Sequence, residues 1–259
     1  MSTQLVQAAL GLFSGSIVGF SLGLVGGGGS ILAVPLMIYV VGVPTAHIAI
    51  GTSALAVAVN AAANLLSHAR AGTVKWRCAG VFAAAGVAGA FGGSSLSKMV
   101  GGTKLLVLFA ILMLVVAALM FARRSSAGDA SVRLNRQNFP KLVLSGFLTG
   151  ALSGFFGIGG GFLIVPGLMF ASGMPIINAI GSSLLAVAAF GATAAVNYAA
   201  SGLVDWRLAA MFIAGGVVGG LAGGRLAHTL GSRRGVLNAI FAGVICVVAI
   251  YMLVRSIQA

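Results

Sequence analysis

The chain has 259 residues, of which 59% are hydrophobic and 7% are charged, and its formal net charge is +13. Several apolar runs exceed the roughly 20 residues that cross a bilayer, so the composition predicts a polytopic membrane protein and excludes a soluble domain of useful size. The basic residues are scattered between these runs, which is typical of a membrane orientation signal and argues against a nucleic-acid partner.

Ten helical segments are predicted, five in each half of an all-α transmembrane bundle. They cover residues 5–25, 30–42, 46–67, 77–97 and 104–122 in the first half, and 139–156, 161–172, 177–199, 207–228 and 234–255 in the second. The second segment of each half is too short to cross a bilayer without tilt or local thinning, so between eight and ten spans are expected.

An internal duplication relates the two halves. The run Leu24–Pro35, which contains four consecutive glycines and ends in Val-Pro, returns as Phe155–Pro166. A later run, Ala49–Arg77, returns as Ala179–Arg207, and both copies end in Trp-Arg. Apolar composition alone does not place Gly, Pro and Trp-Arg at matched positions, so we predict two homologous repeats of the kind common in secondary transporters.

The stretch between the halves is polar and is predicted to be a linker. Four arginines lie in it and Lys141 follows it, whereas the first four residues of the chain contain no basic residue, so we expect a cytoplasmic linker and both termini outside. Five crossings per half would make the repeats inverted, which is the arrangement we expect, whereas a re-entrant second segment would make them parallel. The predicted bounds are residues 1–122 for the first repeat, 123–140 for the cytoplasmic linker and 141–259 for the second repeat.

Three motifs occur once in each half, and the doubled set resembles the TauE/SafE sulfite exporter family. The motifs are Gly26–Pro35, Gly51–Ser53 and Gly72–Arg77 in the first half, and Gly159–Pro166, Gly181–Ser183 and Gly202–Arg207 in the second. The resemblance covers nearly the whole chain. It implies a multi-pass secondary transporter of the bacterial inner membrane that exports small sulfur-containing anions such as sulfite or organosulfonates, with alternating access between the repeats. It does not fix which anion is carried.

Both glycine-rich runs are candidate anion sites, because each interrupts a helix and glycine lets a ligand approach the free backbone N–H groups. The alternative is tight helix packing, which explains glycines spaced four residues apart, as in Gly11–Gly23 and Gly146–Gly154, but not three or four consecutive ones. The residues predicted to face the substrate here are Gly26, Gly27, Gly28, Gly29, Ser30, Gly157, Gly159, Gly160 and Gly161.

Polar side chains on the third segment of each half are further candidates for substrate binding. Asn60 and Asn64 share one helical face with Ser53, whereas Phe190 and Ala194 hold the positions matched to the two asparagines. Interhelical hydrogen bonding is the alternative, and for the asparagines both interpretations stay open. The predicted residues are Thr52, Ser53, Asn60, Asn64, Ser182, Ser183 and Asn197.

Further predictions concern titratable and charged side chains. His47, near the start of the third segment, is a candidate for contact with a proton or an anion, and a structural hydrogen bond is the alternative. Arg77 and Arg207 each follow a tryptophan at the end of a span, where membrane anchoring competes with a role in drawing anions into a vestibule.

What the chain lacks narrows its function. It has no Glu and only two Asp, so we expect no buried acid that couples transport to a cation, and it lacks the glycine-rich loop of ATPases. No catalytic site, metal site or cofactor is predicted, and the expected partners are a small anion and membrane lipid. The alternative functions are an anion channel and a transporter of another small oxyanion or a carboxylate.

Overall fold

The computed structural model describes residues 2–122, 132–157, 161–229 and 234–258, and within these ranges the chain forms a helical bundle. The predicted all-α class is confirmed, and the bounds lie close to the predicted ones. The α-helices are α1 (Ser2–Val25), α2 (Ala33–Pro35), α3 (Ala46–Arg70), α4 (Trp76–Ser97), α5 (Gly102–Ala122), α6 (Phe139–Phe156), α7 (Gly161–Ser172), α8 (Ile176–Ala199), α9 (Trp206–Thr229) and α10 (Arg234–Gln258).

Six helices of the described chain are long and apolar enough to cross a membrane, namely α1, α3, α4, α6, α8 and α9. Shorter apolar helical stretches add Gly29–Val40, Gly102–Ala118, Leu163–Ser172 and Gly243–Arg255. Helices α3 and α8 form the centre of the bundle, because their apolar windows are 67% and 61% buried, against at most 44% for the other four helices. A polytopic membrane protein is therefore confirmed.

The second segment of the first half differs from the continuous helix that was predicted over residues 30–42. We call residues 26–40 the broken segment: it consists of a 3-10 helix (Gly26–Leu32), the single turn α2 and a π-helical turn (Leu36–Val40). Consecutive glycines weaken an α-helix, and Pro35 removes a backbone donor where the wider turn begins. The matched helix α7 stays regular although it contains Pro166.

Helices α1 and α9 pack side by side in the same direction. Gly15 of α1 lies on the backbone of Phe212, and Gly23, two turns later, lies on the backbone of Gly220. Small residues allow this close approach of two backbones, so the predicted packing role of the glycines spaced four residues apart is confirmed for α1.

Helices α4 and α6 repeat this arrangement with the halves exchanged. Gly146 of α6 lies on the backbone of Phe82 in α4, and Gly154 lies on the backbone of Ala90. The two helices therefore also run in the same direction, and the packing role of the second glycine series is confirmed. Other contacts between the two halves are matched in the same way. Helix α3 packs on α9, and its counterpart α8 packs on α4. Helix α5 packs on its own counterpart, α10.

Helices α3 and α8, in contrast, run in opposite directions. Gly51 near the start of α3 lies against Leu203, which follows α8, while Gly181 near the start of α8 lies against Thr73, which follows α3. We call the end of the bundle that holds the loop 71–75 the linker end, because α6 also begins there, and the end that holds the loop 200–205 the opposite end.

Candidate functional site

Each glycine break lies where the two halves of the bundle touch. The 3-10 helix that contains Gly26, Gly27, Gly28, Gly29 and Ser30 packs against α1, α7 and α8, so it lies between elements of both halves. A Cβ on Gly29 would overlap the backbone of Ser21 and Leu22, which shows that the chain folds back on the end of α1. Ser30 is fully buried.

The second break begins where α6 ends. Gly157 adopts φ 64°, the left-handed conformation that commonly ends a helix, and a Cβ there would overlap Ile50 of α3. The hydroxyl of Ser53 lies 3.5 Å from the Gly157 carbonyl oxygen, so this break touches the third helix of the other half. Gly161 is buried and begins α7, whereas Gly159 and Gly160 lie outside the described residues.

Two of the predicted substrate hydroxyls hold the loops of the opposite half. The Thr52 hydroxyl accepts a hydrogen bond from the Asp205 backbone N–H at 3.0 Å, and the Ser182 hydroxyl accepts one from the Lys75 backbone N–H at 2.9 Å. These two bonds lie at opposite ends of the bundle. Each hydroxyl therefore has a structural role, and Thr52 and Ser182 do not meet in one pocket.

The neighbouring serines bond within their own helices. Ser53 donates to the Ile50 carbonyl oxygen at 3.0 Å, and Ser183 donates to the Ile180 carbonyl oxygen at 2.7 Å. Both side chains are fully buried. Both hydroxyl protons are therefore already engaged.

Asn60 and Asn64 face the glycine surface of α9. Asn60 is fully buried, and within the described structure neither its Nδ2 nor its Oδ1 has a hydrogen-bond partner. Its amide lies directly over Gly216, and the amide of Asn64 lies over Gly220 one turn later. Asn64 Nδ2 donates to the Asn60 backbone carbonyl at 2.9 Å. The sequence contained a signal for these partners in the glycine pairs of residues 215–216, 219–220 and 223–224.

Asn197 belongs to a separate polar cluster at the opposite end, where α4 ends beside α8. The Lys98 ammonium donates to Asn197 Oδ1 at 2.8 Å and to the hydroxyl of Ser201 at 2.9 Å. Asn197 Nδ2 donates to the Ser94 hydroxyl at 2.6 Å. Lys98 was not predicted as a site residue, because in the sequence it is only one of the basic residues scattered between the apolar runs.

The remaining predicted residues lie at the two ends of the bundle. His47 Nε2 is 3.3 Å from the Ser97 carbonyl oxygen, beside the Lys98 cluster. Arg77 and Arg207 are exposed in the first turns of α4 and α9, and the tryptophans that precede them are 54% and 65% exposed. The structure thus divides the predicted residues between a buried centre, which holds Asn60, and the two ends, and Gly157 lies beside Ile50 near the start of α3.

Comparison with known proteins points to transport. The family described as Sulfite exporter TauE/SafE matches residues 11–252. A "Probable membrane transporter protein" of Xylella fastidiosa is 52% identical over 99% of this chain and 98% of its own length. The "Probable membrane transporter protein YdhB" of Bacillus subtilis is 25% identical over 83% of this chain and 88% of its own. No solved structure matches the chain.

Proposed function

The chain belongs to the TauE/SafE sulfite exporter family, and from that premise we propose that it exports small sulfur-containing anions such as sulfite or organosulfonates. It is a multi-pass membrane transporter of the bacterial inner membrane, and its family and relatives indicate transport rather than enzymatic catalysis. The mechanism that we propose is alternating access between two inverted repeats, residues 1–122 and 141–259.

The observation that carries this proposal is the opposite direction of α3 and α8. These helices hold matched positions in the two halves, so an axis that exchanges them must lie perpendicular to the helices and therefore within the membrane plane. The parallel pairs α1 with α9 and α6 with α4 agree with that axis. Both glycine breaks lie at the interface between the halves, where rocking of one half against the other would expose a shared site to each face in turn.

The chemistry of the described centre supports an anion as the substrate. The buried polar side chains there are hydroxyls and amides, and the one acid in the described chain, Asp205, is exposed at the opposite end. Backbone N–H groups near a helix break attract anions without the trapping strength of a full charge. The exposed Arg77 and Arg207, one at each end, would raise the local concentration of anions at both mouths.

The distribution of basic residues supports a cytoplasmic linker end. Within the described chain, Arg70, Lys75 and Arg77 lie at that end beside the segment from Arg133 to Lys141. Arg225, near the end of α9, also lies at the linker end, whereas Lys98, Lys104, Arg207 and Arg255 lie at the opposite end. Because cytoplasmic loops carry an excess of Lys and Arg, we place the loop 71–75 in the cytoplasm and the loop 200–205 outside.

Sulfite efflux from liposomes tests the proposed function. Purified protein is reconstituted into vesicles loaded with sulfite, and release is followed with a dye that responds to sulfite. Protein-free vesicles and chloride-loaded vesicles are the controls. We also expect sulfite to raise the unfolding temperature in detergent with increasing concentration, because a ligand stabilises the state it binds. A protein that responds to amino acids or metal cations, but to no sulfur oxyanion, would contradict the proposal.

A further inference from the structure

Asn60 is a polar side chain that the fold itself leaves without a partner. Its amide is fully buried near the middle of α3, and both its donor and its acceptor lack a hydrogen bond within the described structure. Burial without compensation costs free energy, because the amide loses its hydrogen bonds to water. Exchanging the oxygen and nitrogen in the amide leaves both atoms unpartnered, so the observation does not depend on the amide orientation.

The matched position in the second half shows that the fold does not need an amide here. Phe190 packs into the same place on α4, against Gly86, and its ring stacks on Phe82 with a centroid distance of 6.2 Å. An apolar side chain therefore fills that site well, whereas Asn60 presents a donor and an acceptor toward Gly216. The asymmetry between Asn60 and Phe190 needs a reason other than packing.

We infer that Asn60 binds the transported anion near the middle of the membrane, and that the anion it accepts carries a proton. This inference rests on the proposed function and specifies its substrate. A ligand that satisfies both atoms must accept from Nδ2 and donate to Oδ1. A singly protonated oxyanion such as hydrogensulfite has both an O⁻ and an O–H, whereas a fully ionised oxyanion has only acceptors and would place an oxygen against Oδ1.

The side chains that follow Asn60 lead toward the linker end. Asn64 is 8% exposed and lies over Gly220, and Ser67, on the same face of α3, is exposed. In the second half, Phe190 and Ala194 take the places of the two asparagines. The polar route therefore connects Asn60 with the end that we place in the cytoplasm, which is the side from which an exporter loads.

The protein offers no titratable group beside Asn60 within the described chain. On α3 the nearest are His68 and His47, and on α9 they are Arg207 and Arg225, all at least about 12 Å away along their helices at 1.5 Å per residue. The other packed elements contribute Tyr39 in the broken segment, Lys104 at the start of α5 and Tyr198 near the end of α8, and the described part of α1 contributes none. A change of affinity with pH is therefore expected to come from the ligand.

The test compares N60L with the matched control F190L. Leucine keeps the branching of asparagine but removes both hydrogen-bonding atoms, and F190L changes the corresponding apolar position. Binding is measured as the shift in unfolding temperature with sulfite, and transport as efflux from liposomes, both from mildly acidic to mildly alkaline pH. Sulfate, which stays fully ionised over this range, serves as the comparison anion.

We expect N60L to bind sulfite about tenfold or more weakly than the wild type, because it lacks a hydrogen bond to a charged ligand. F190L should keep the wild-type affinity. Wild-type affinity for total sulfite should fall as pH rises through the second ionisation of sulfite, and sulfate should bind weakly at every pH. Without ligand, N60L should unfold at the same or a higher temperature than the wild type, because it no longer buries an unpaired amide.

The outcomes separate the inference from the proposed function. If N60L binds and moves sulfite like the wild type, or if wild-type affinity does not fall with rising pH, the inference is wrong and the export function stands. If the wild type neither binds nor moves sulfite, the proposed function is wrong. The unfolding temperature of N60L without ligand then tests whether the Asn60 amide has a structural role. An N60L protein that unfolds earlier than the wild type, or does not fold, would show a structural role for the amide and overturn the inference.

Discussion

The Thr52 hydroxyl and the Asp205 backbone N–H form a 3.0 Å hydrogen bond between residues that are 153 positions apart. Its counterpart joins Ser182 to the backbone N–H of Lys75. In both cases a hydroxyl on the central helix of one half fixes the loop that precedes a long helix of the other half. The two halves therefore depend on each other for the shape of these loops.

Replacing Thr52 by valine should destabilise the protein. Valine has nearly the same shape but leaves the Asp205 N–H without its acceptor, so we expect a loss of about 1–3 kcal/mol and a lower unfolding temperature in detergent. Ser182→Ala should act in the same direction. Ser145→Ala is the control, because in the described structure that half-buried hydroxyl donates to the Lys141 carbonyl of its own helix and does not reach the other half. Equal stability of all three variants would contradict a role for the bonds between the halves.

Alanine at Gly19 should be poorly tolerated, whereas alanine at Gly80 should not. A Cβ on Gly19 would overlap the backbone of Gly216, so α1 and α9 would have to separate at a cost of about 1–3 kcal/mol or more. Gly80 of α4 has nothing within 4 Å of that position, and alanine there should gain up to about 1 kcal/mol from helix propensity. Thermal unfolding of the two variants beside the wild type measures the contrast, and a similar shift for both would disprove it.

Gly157→Ala should destabilise the protein by more than the backbone strain of alanine at a positive φ. Alanine at φ 64° costs about 1 kcal/mol, and its Cβ would also overlap Ile50. Gly42→Ala is the matched control, since Gly42 has φ 80° and nothing lies near its Cβ position. We expect Gly157→Ala to unfold at a lower temperature than Gly42→Ala, and Ile50→Ala to restore part of the difference. Indistinguishable single variants would mean that the contact with Ile50 does not matter.

Single cysteines at Ala71 and Ser201 should react from opposite sides of the membrane. These residues are exposed, hold matched positions in the two halves and lie at the linker end and the opposite end respectively. With Cys78 and Cys246 replaced by serine, an impermeant thiol reagent added outside intact cells should label only the cysteine at position 201. Labelling at position 71 alone would reverse the proposed orientation, and labelling of both would contradict inverted halves.

Much of the fold could be predicted because hydrophobic length and glycine spacing are local properties. The segment predicted over residues 161–172 coincides with α7, and the glycine series of α1 and α6 pack against other helices as expected. The broken segment was predicted less well. A run of glycines indicates where a helix is interrupted, but the choice between 3-10, α and π turns depended on the end of α1 and the surrounding helices.

The site was predictable only in part. The sequence placed Thr52, Ser53, Asn60 and Asn64 on one helix, which is where the structure has them. It could not distinguish the Thr52 hydroxyl, which bonds to a distant loop, from the Asn60 amide, which has no hydrogen-bond partner in the described structure. It also gave no reason to connect Asn197 with Lys98, because that contact requires α4 and α8 to lie side by side.

The sequence by itself determined most of the helical segments, the family and the polar face of α3, and it indicated the duplication, since each follows from periodicity or from matched residues along the chain. The tertiary structure alone decided the opposite directions of α3 and α8, the closure of loops by Thr52 and Ser182, and the isolation of Asn60 over Gly216. The physical reason is that helical periodicity tells which residues share a face, whereas the partner of that face comes from a helix more than a hundred residues away. Whether a buried polar atom is satisfied depends on that partner.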